Sequence, residues 1–400
     1  MEYTHGISIK KIFLSDGNWW KFFLLKKGNF RPAIICNVLK MLTCGTKIMG
    51  HHLFTCPCCF LQKKVYHTCK SRFCSSCGKK ATDKWMQNKF ETFPNTTCQH
   101  ITFTMPDQLW DFFWVNRQLM GLVPAIAANI ILGIAKSKGV LPGIFLAVHT
   151  FGRDLKNNYH IHLSTTAGGL SLYNHDKWIK RVYYHHEKLK TQWKYEIITL
   201  FRNEYKNKNL KMTPELKHID TITAFNKFLD SLYQKEWVVF LNKISDDQKQ
   251  NIEYFGKYIK RPPIGETRIL EYKEGNVTYK YLDHYTGETE IKTLPALEFI
   301  GRLVSHIPDK NFRSIRYFGF LANRVIGTLL GIVKLLVKHV IKTRPRKSNW
   351  RSLYIDAFGI DPLKCIKCGT TMLLESISLP LKIPLLDIHE LIASGKITKN

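Results

Sequence analysis

The sequence predicts an α+β chain in three consecutive parts, and three observations carry that expectation. Six of the 11 cysteines crowd between Cys56 and Cys77, which in a chain of 400 residues without a visible secretion signal fits metal binding better than a disulfide framework. Strand-like alternation recurs between His100 and Thr165, with helical stretches in between. Residues 183–258 are charged and helical in character, and the C-terminal region is expected to be a hairpin followed mostly by helices. The three parts are 1–95, 96–265 and 266–400.

The first part carries Cys56-x-x-Cys59 and Cys74-x-x-Cys77, separated by fourteen residues. That is the paired-knuckle spacing of a four-cysteine zinc ribbon, in which each tight turn supplies two thiolates and the two turns close a tetrahedron. Cys58 and Cys69 are spare and can displace a ligand; His52 and His67 are weaker candidates. The alternative is a run of reduced structural cysteines. Lys63, Lys64 and Arg72 flank the cluster and suit a polyanion. A polar helical stretch, Gly78 to Phe93, ends this part.

In the second part, His100 to Pro106 is expected as a strand stopped by proline, followed by helices through Ala135. Gly143–Thr150 and Tyr159–Thr165 are expected as strands joined by a turn through Asp154–Asn158. Residues 183–258 are expected to be helical with breaks near Pro214 and Ser245, and Arg261-Pro262-Pro263 ends the region. In the third part, Val277–Leu282 and Glu288–Ile291 flank Tyr285-Thr286-Gly287 as a hairpin. A helix over Leu297–His306, a longer one over about 321–342 and a tail with Cys365-Ile366-Lys367-Cys368 follow. That last pair is half a metal site, and its partner is left open.

Two apolar stretches, Leu119–Ala135 and Val325–Ile341, are broken by Pro124, Asn129, Lys334 and Lys338. They fall short of the roughly 20 clean apolar residues of a spanning helix and are expected to be buried or amphipathic. Met1–Leu14 is polar and broken by charges. The expectation is a soluble, cytoplasmic protein with no membrane partner.

The formal net charge is +29, from 60 Lys and Arg against 31 Asp and Glu. It is spread along the chain, so an extended positive surface for nucleic acid is the natural implication. On a strand, residues i and i+2 share a face, so His160 and His162 point one way while Ile161 points into the core. In a hairpin centred on Asp154–Asn158, His149 falls opposite His160. Three imidazoles on one patch of sheet can hold a divalent ion that polarises a phosphodiester. Nitrogen ligands favour Mn²⁺ or another transition ion, and Mg²⁺ stays open as the alternative.

Tyr254 and Tyr258 stand four apart in a helix-like stretch and so share one surface. A tyrosine hydroxyl, with a pKa near ~10, becomes a nucleophile when positive charge stabilises its phenolate. Lys257 and Lys260 lie beside the pair and Arg261 follows. Aromatic pairs at this spacing are more often core packing, and the histidines tip the balance toward catalysis.

With these blocks in view, the chain resembles rolling-circle insertion-sequence transposases of the IS91 group, two-tyrosine members of the His-hydrophobic-His (HUH) endonucleases. The likeness spans nearly the whole length. It runs through Cys56, Cys59, Cys74 and Cys77, then Phe103-Thr104-Met105-Pro106, then His149–Leu155 leading into His160-Ile161-His162. Tyr254–Pro263 is its most specific segment, followed by His306–Lys310, Arg316–Gly319 and Asp361–Cys365. The chain departs from the family at Asn158-Tyr159, where Asn-Pro is usual; no ligand is lost.

The resemblance implies an antiparallel-sheet catalytic core and metal-dependent cleavage of single-stranded DNA at transposon ends. It further implies Tyr254 and Tyr258 as nucleophiles, 5′-phosphotyrosine intermediates, target DNA as a second partner and a bacterial setting. Structural Zn²⁺ and catalytic Mg²⁺ or Mn²⁺ complete the expected cofactors. Lys63, Lys64, Arg72, Lys260 and Arg261 are the expected DNA contacts. Two alternatives remain. One is a zinc-ribbon DNA-binding protein without catalysis. The other is a plasmid replication initiator or relaxase-like nickase; the absence of a Gly-x-x-x-x-Gly-Lys-Ser/Thr phosphate loop leans against a large relaxase.

Overall fold

The computed structural model describes residues 7–245, 252, 253, 256, 262–283, 286–338 and 350–394. Twelve strands occur among them. They are β1 (His51–Thr55), β2 (Gln62–Tyr66), β3 (Cys98–Phe103), β4 (Val140–Phe151), β5 (Asn157–Ser171) and β6 (Trp178–Ile179). Then come β7 (Val239–Leu241), β8 (Ile269–Lys273), β9 (Asn276–Leu282), β10 (Thr289–Pro295), β11 (Ile315–Gly319) and β12 (Leu373–Ser378).

The chain divides into two compact units, and neither is continuous in sequence. One combines Met1–Thr82, Lys260–Lys310 and Ile341–Asn400; the other combines Asp83–Ile259 and Asn311–Val340. These units run across the expected consecutive parts 1–95, 96–265 and 266–400. The physical reason is long-range strand pairing: β11 returns to β4, and β12 returns to β1. The third part, expected to be mostly helical, carries β8 to β12 beside its helices.

The catalytic expectations fall on the second unit. Its sheet runs in the order β11-β4-β5-β3-β7, with β6 also on β5, and every pairing is antiparallel. The two-residue period of a strand divides the side chains between faces. Ile144, Leu146, Ile161, Leu163, Ile101 and Phe103 enter one core, which the helices Leu119–Lys136 and His186–Lys206 cover with Val123, Ala127, Ile131, Leu189, Trp193 and Ile197. The alternate residues Phe145 and Ala147 enter a second cluster with Trp85, Phe93, Phe320 and Val333. The histidines of β4 and β5 share this second face.

The helix Leu119–Lys136 is long and apolar enough, by length and composition, to cross a bilayer, contrary to the expectation that it falls short. Its burial in the sheet's core accounts for that apolarity. The longer expected helix over 321–342 is seen as Ile326–Leu336; residues 339–342 lie outside the described residues.

Tyr159, where the family likeness breaks, is a core anchor. It is fully buried, its ring lies 4.0 Å from that of Phe113 at an interplanar angle of 1°, and its hydroxyl donates to the Met120 carbonyl at 3.1 Å. The ring ties the start of β5 to the neighbouring helices at the point where His160 must be aimed. Tyr159→Phe keeps the stack and removes the hydrogen bond, so a loss of about 1 kcal/mol in a urea unfolding midpoint is expected.

In the first unit, the helices Ile9–Leu14, Asn18–Leu25, Pro32–Thr43 and Ala296–Ser305 bury Ile9, Phe13, Trp19, Val38, Phe299 and Leu303. A β10-β9-β8 sheet lies in the same unit. The expected hairpin is its β9–β10 pair, with Thr289 opposite Leu282. Arg31 binds Asp309 and donates to the carbonyls of Ser305 and Ile307. A separate sheet, β12-β1-β2, carries one of the cysteine clusters.

Candidate metal centres and catalytic site

His149 stands directly opposite His160 across the β4–β5 pair, as the hairpin spacing predicts. The turn between them is closed by the Gly152 amide donating to the Lys156 carbonyl at 2.9 Å and by Asp154 accepting from the Lys156 amide at 3.1 Å. His149, His160 and His162 each bring a ring nitrogen to one cluster, with the three atoms within 4.8 Å of one another. His149 is 3% and His162 8% exposed.

Hydrogen bonds orient two of these rings. His160 Nδ1 donates to the Asn158 carbonyl at 2.9 Å, which fixes the tautomer and leaves Nε2 with a lone pair. That Nε2 lies 3.1 Å from His162 Nε2. The opposite nitrogen of His162, Nδ1, lies 3.3 Å from Thr102 Oγ1 and 3.2 Å from His100 Nε2. Nε2 of both rings therefore faces the cluster, and imidazole nitrogens suit a divalent transition ion.

His100 was legible only as the start of a strand, and its place beside the cluster comes from the β3–β5 register. It is 5% exposed, and burial lowers its pKa to about 4, so its ring is neutral. Asn242 Nδ2 lies 3.0 Å from its Nδ1, giving an Asn242–His100–His162 chain behind the cluster. A polar residue on the histidine face of the neighbouring strand was the one signal available, and it needs the strand pairing to be known.

Tyr254, Tyr258, Lys257, Lys260 and Arg261 lie outside the described residues. Two described neighbours are packed: Ile252 is 1% exposed within the cluster of Trp85, Phe93 and Phe145, and a Cβ on Gly256 would meet Met86 Sδ at 2.2 Å.

The cysteines depart from expectation. Cys56, Cys59, Cys74 and Cys77 do not share one site; two four-thiol clusters divide them. One is Cys44, Cys69, Cys74 and Cys77; the other is Cys56, Cys59, Cys365 and Cys368. Cys69, a spare in the sequence, becomes a ligand candidate, and Cys58 stays outside both clusters. The reason is topological: β1 and β2 place the first knuckle at the tip of their hairpin, whereas the second starts the helix Ser75–Thr92.

In the first cluster, Cys77 Sγ lies 3.7 Å from both Cys44 Sγ and Cys69 Sγ. Side-chain hydrogen bonding with Cys69 is the chief reason that the Cys44 pKa falls to about 7. Cys77 is also lowered, first by Cys44. Cys69 and Cys74 are raised in turn, and four sulfurs crowded in this way favour a soft cation.

Of the basic residues flanking the cysteines, Lys64 is exposed, while Lys63 donates to the Pro362 carbonyl at 2.9 Å. Arg72 is half-buried, and burial lowers its pKa to about 10.

Comparison with known proteins agrees with this arrangement. Residues 17–105 match the family model described as "Transposase zinc-binding domain", and residues 143–327 match the one described as "Putative transposase". The chain is 36% identical over 367 residues to "Transposase for insertion sequence element IS801" of Pseudomonas savastanoi pv. phaseolicola, covering 91% of this chain and 88% of that protein. It is 26% identical over 289 residues to "Putative transposase y4qJ" of Sinorhizobium fredii (strain NBRC 101917 / NGR234), covering 70% of this chain and 72% of that protein. No solved structure matches. A zinc-binding segment with clustered thiols, followed by a transposase segment that holds the histidine cluster, makes this chain a transposase of the IS91 family.

Proposed function

We propose that this transposase nicks and rejoins single-stranded DNA at the ends of its element through a tyrosine nucleophile, in the manner of HUH endonucleases. The observation that carries this reading is the convergence of His149, His160 and His162 on one sheet face with hydrogen bonds behind the rings. A divalent ion held there, Mn²⁺ or Mg²⁺, would supply Lewis-acid polarisation of the scissile phosphodiester.

The chain's own residues do the rest. The hydroxyl oxygen of Tyr254 or Tyr258 forms a bond to phosphorus, and the bond from phosphorus to the 3′ oxygen breaks. That oxygen leaves with a proton as a 3′-hydroxyl, and the 5′ end stays on the protein as a phosphotyrosine. Lys257 lends positive charge to the phenolate. The second tyrosine holds a second cut end while the first is occupied. Lys63, Lys64, Arg72, Lys260 and Arg261 contribute phosphate contacts, in keeping with the net charge of +29. Cys44, Cys69, Cys74 and Cys77 would hold a structural zinc ion that keeps the N-terminal segment in shape, and the cytoplasm is the place of action.

Two labels test this polarity. With an element-end oligonucleotide, a 3′ label is expected to stay on the denatured protein and a 5′ label to leave on a shorter free strand. The reverse distribution would contradict the 5′-phosphotyrosine.

His100 acts here as a positioning residue. His162 Nδ1 lies 3.2 Å from His100 Nε2, a contact that holds the His162 ring from behind with its Nε2 toward the cluster. His100→Ala is expected to weaken Mn²⁺ binding roughly 10–100-fold by calorimetry, with part of the loss recovered in His100→Gln. Unchanged Mn²⁺ affinity in a folded His100→Ala protein would reduce His100 to a packing role.

A further inference from the structure

We propose that Cys56, Cys59, Cys365 and Cys368 bind a second zinc ion, closing one zinc ribbon from two segments about 300 residues apart in sequence. Cys365 and Cys368 lie outside both matched spans, 17–105 and 143–327. The site goes beyond the nicking chemistry and does not depend on it.

The sulfur spacing is the first argument. Cys56 Sγ lies 3.4 Å from Cys368 Sγ, and Cys59 Sγ lies 3.5 Å from Cys365 Sγ. All four sulfurs lie within 4.8 Å of one another. A disulfide would need about 2.0 Å. A tetrahedron with Zn–S bonds of about 2.3 Å has edges of about 3.8 Å, close to what the thiols present.

The backbone is the second argument, because one knuckle is built twice. At the first, the Cys56 amide donates to the Leu61 carbonyl at 2.9 Å and the Phe60 amide donates to the Cys56 carbonyl at 3.0 Å. At the second, the Cys365 amide donates to the Thr370 carbonyl at 2.8 Å and the Gly369 amide donates to the Cys365 carbonyl at 2.9 Å. In each, the residue after the second cysteine is left-handed, Phe60 at φ 58° and Gly369 at φ 75°. Glycine accepts that conformation readily and phenylalanine does not, so the turn at Phe60 is kept by something beyond local preference. Two copies of one turn, each aiming two thiols at a common point, are the two halves of a ribbon.

The setting is the third argument. β12 runs antiparallel to β1, from His51 opposite Ser378 to Thr55 opposite Leu373. Both knuckles therefore sit at the same end of the β12-β1-β2 sheet. At Gly50, just before β1, a Cβ would meet the Ser378 carbonyl oxygen at 2.2 Å, so the two strands approach too closely for a side chain there. The cluster that holds them together is small: Phe54, Cys56, Cys365 and Met372 are its buried members. A core of that size leaves the pairing dependent on the metal. Four thiolates select zinc over the oxygen-seeking Mg²⁺. The Cys44 cluster has four sulfurs of its own, so the two ions do not compete for ligands.

Zinc analysis of the purified full-length protein tests this directly. Two zinc ions per chain are expected in the wild type and one in Cys365→Ser/Cys368→Ser. Cys44→Ser/Cys69→Ser should also fall to one. Because either variant can misfold, cobalt titration of the metal-stripped wild type gives an independent reading. Two equivalents should each develop the absorption of tetrahedral thiolate-bound cobalt. A wild type that binds one zinc, a Cys365→Ser/Cys368→Ser protein that keeps two, or iron in place of zinc would overturn the proposal.

Discussion

Replacing His162 by alanine is expected to slow cleavage of single-stranded DNA roughly 10³-fold, the equivalent of about 4 kcal/mol of transition-state stabilisation, while DNA binding is retained. His162 is the middle of the cluster: its ring centroid lies 4.5 Å from that of His149 and 4.9 Å from that of His160. Its Nε2 faces His160, and its Nδ1 is held from behind by Thr102 and His100. Removing it takes away a proposed ligand and the link to the supporting chain together. Two histidines remain, so raising Mn²⁺ should restore part of the rate. No such rescue is expected when both tyrosines are changed. Single-turnover cleavage at several Mn²⁺ concentrations makes the comparison, and a full rate in His162→Ala at limiting metal would remove the cluster from the mechanism.

The largest structural effect is expected at Gly319. This residue ends β11 opposite Gly143, adopts φ 62°, and would place a Cβ at 1.7 Å from the Pro142 carbonyl oxygen. Alanine there combines a left-handed backbone with a collision against main chain that cannot turn aside. Each problem costs about 1–3 kcal/mol, so Gly319→Ala is expected to lose about 2–6 kcal/mol, a large part of ordinary domain stability. Gly275 is the control: it has φ 73° with nothing within 4 Å of an added Cβ, so only the backbone cost of about 1–3 kcal/mol applies. Denaturant midpoints of the two variants separate the terms. Equal losses would mean that the strand end at Gly319 relaxes freely.

What the sequence disclosed follows the range of the interactions. The His149–His160 register was legible because a short turn and a two-residue period leave few ways to pair neighbouring strands. The same local logic found the β9–β10 hairpin. The cysteines were misassigned because Cys-x-x-Cys fixes a knuckle but not its partner. Cys44 and Cys69 carry no such spacing, and Cys365 reaches Cys59 only once β12 has paired with β1. The two discontinuous units were not legible for the same reason, since β11 joins β4 from far along the chain. His100 needed the β3–β5 register before it meant anything. Tyr159 breaks the family pattern, yet a buried ring on Phe113 serves the same end of the strand.

The most direct test uses labelled single-stranded DNA from the element's ends, incubated with Mn²⁺ and resolved under denaturing conditions. The wild type is expected to give a protein-linked band. Tyr254→Phe/Tyr258→Phe is expected to bind the same DNA and give none. A covalent band that survives in the double variant, or tight binding by the wild type with no adduct across ends and metals, would contradict tyrosine-mediated strand transfer.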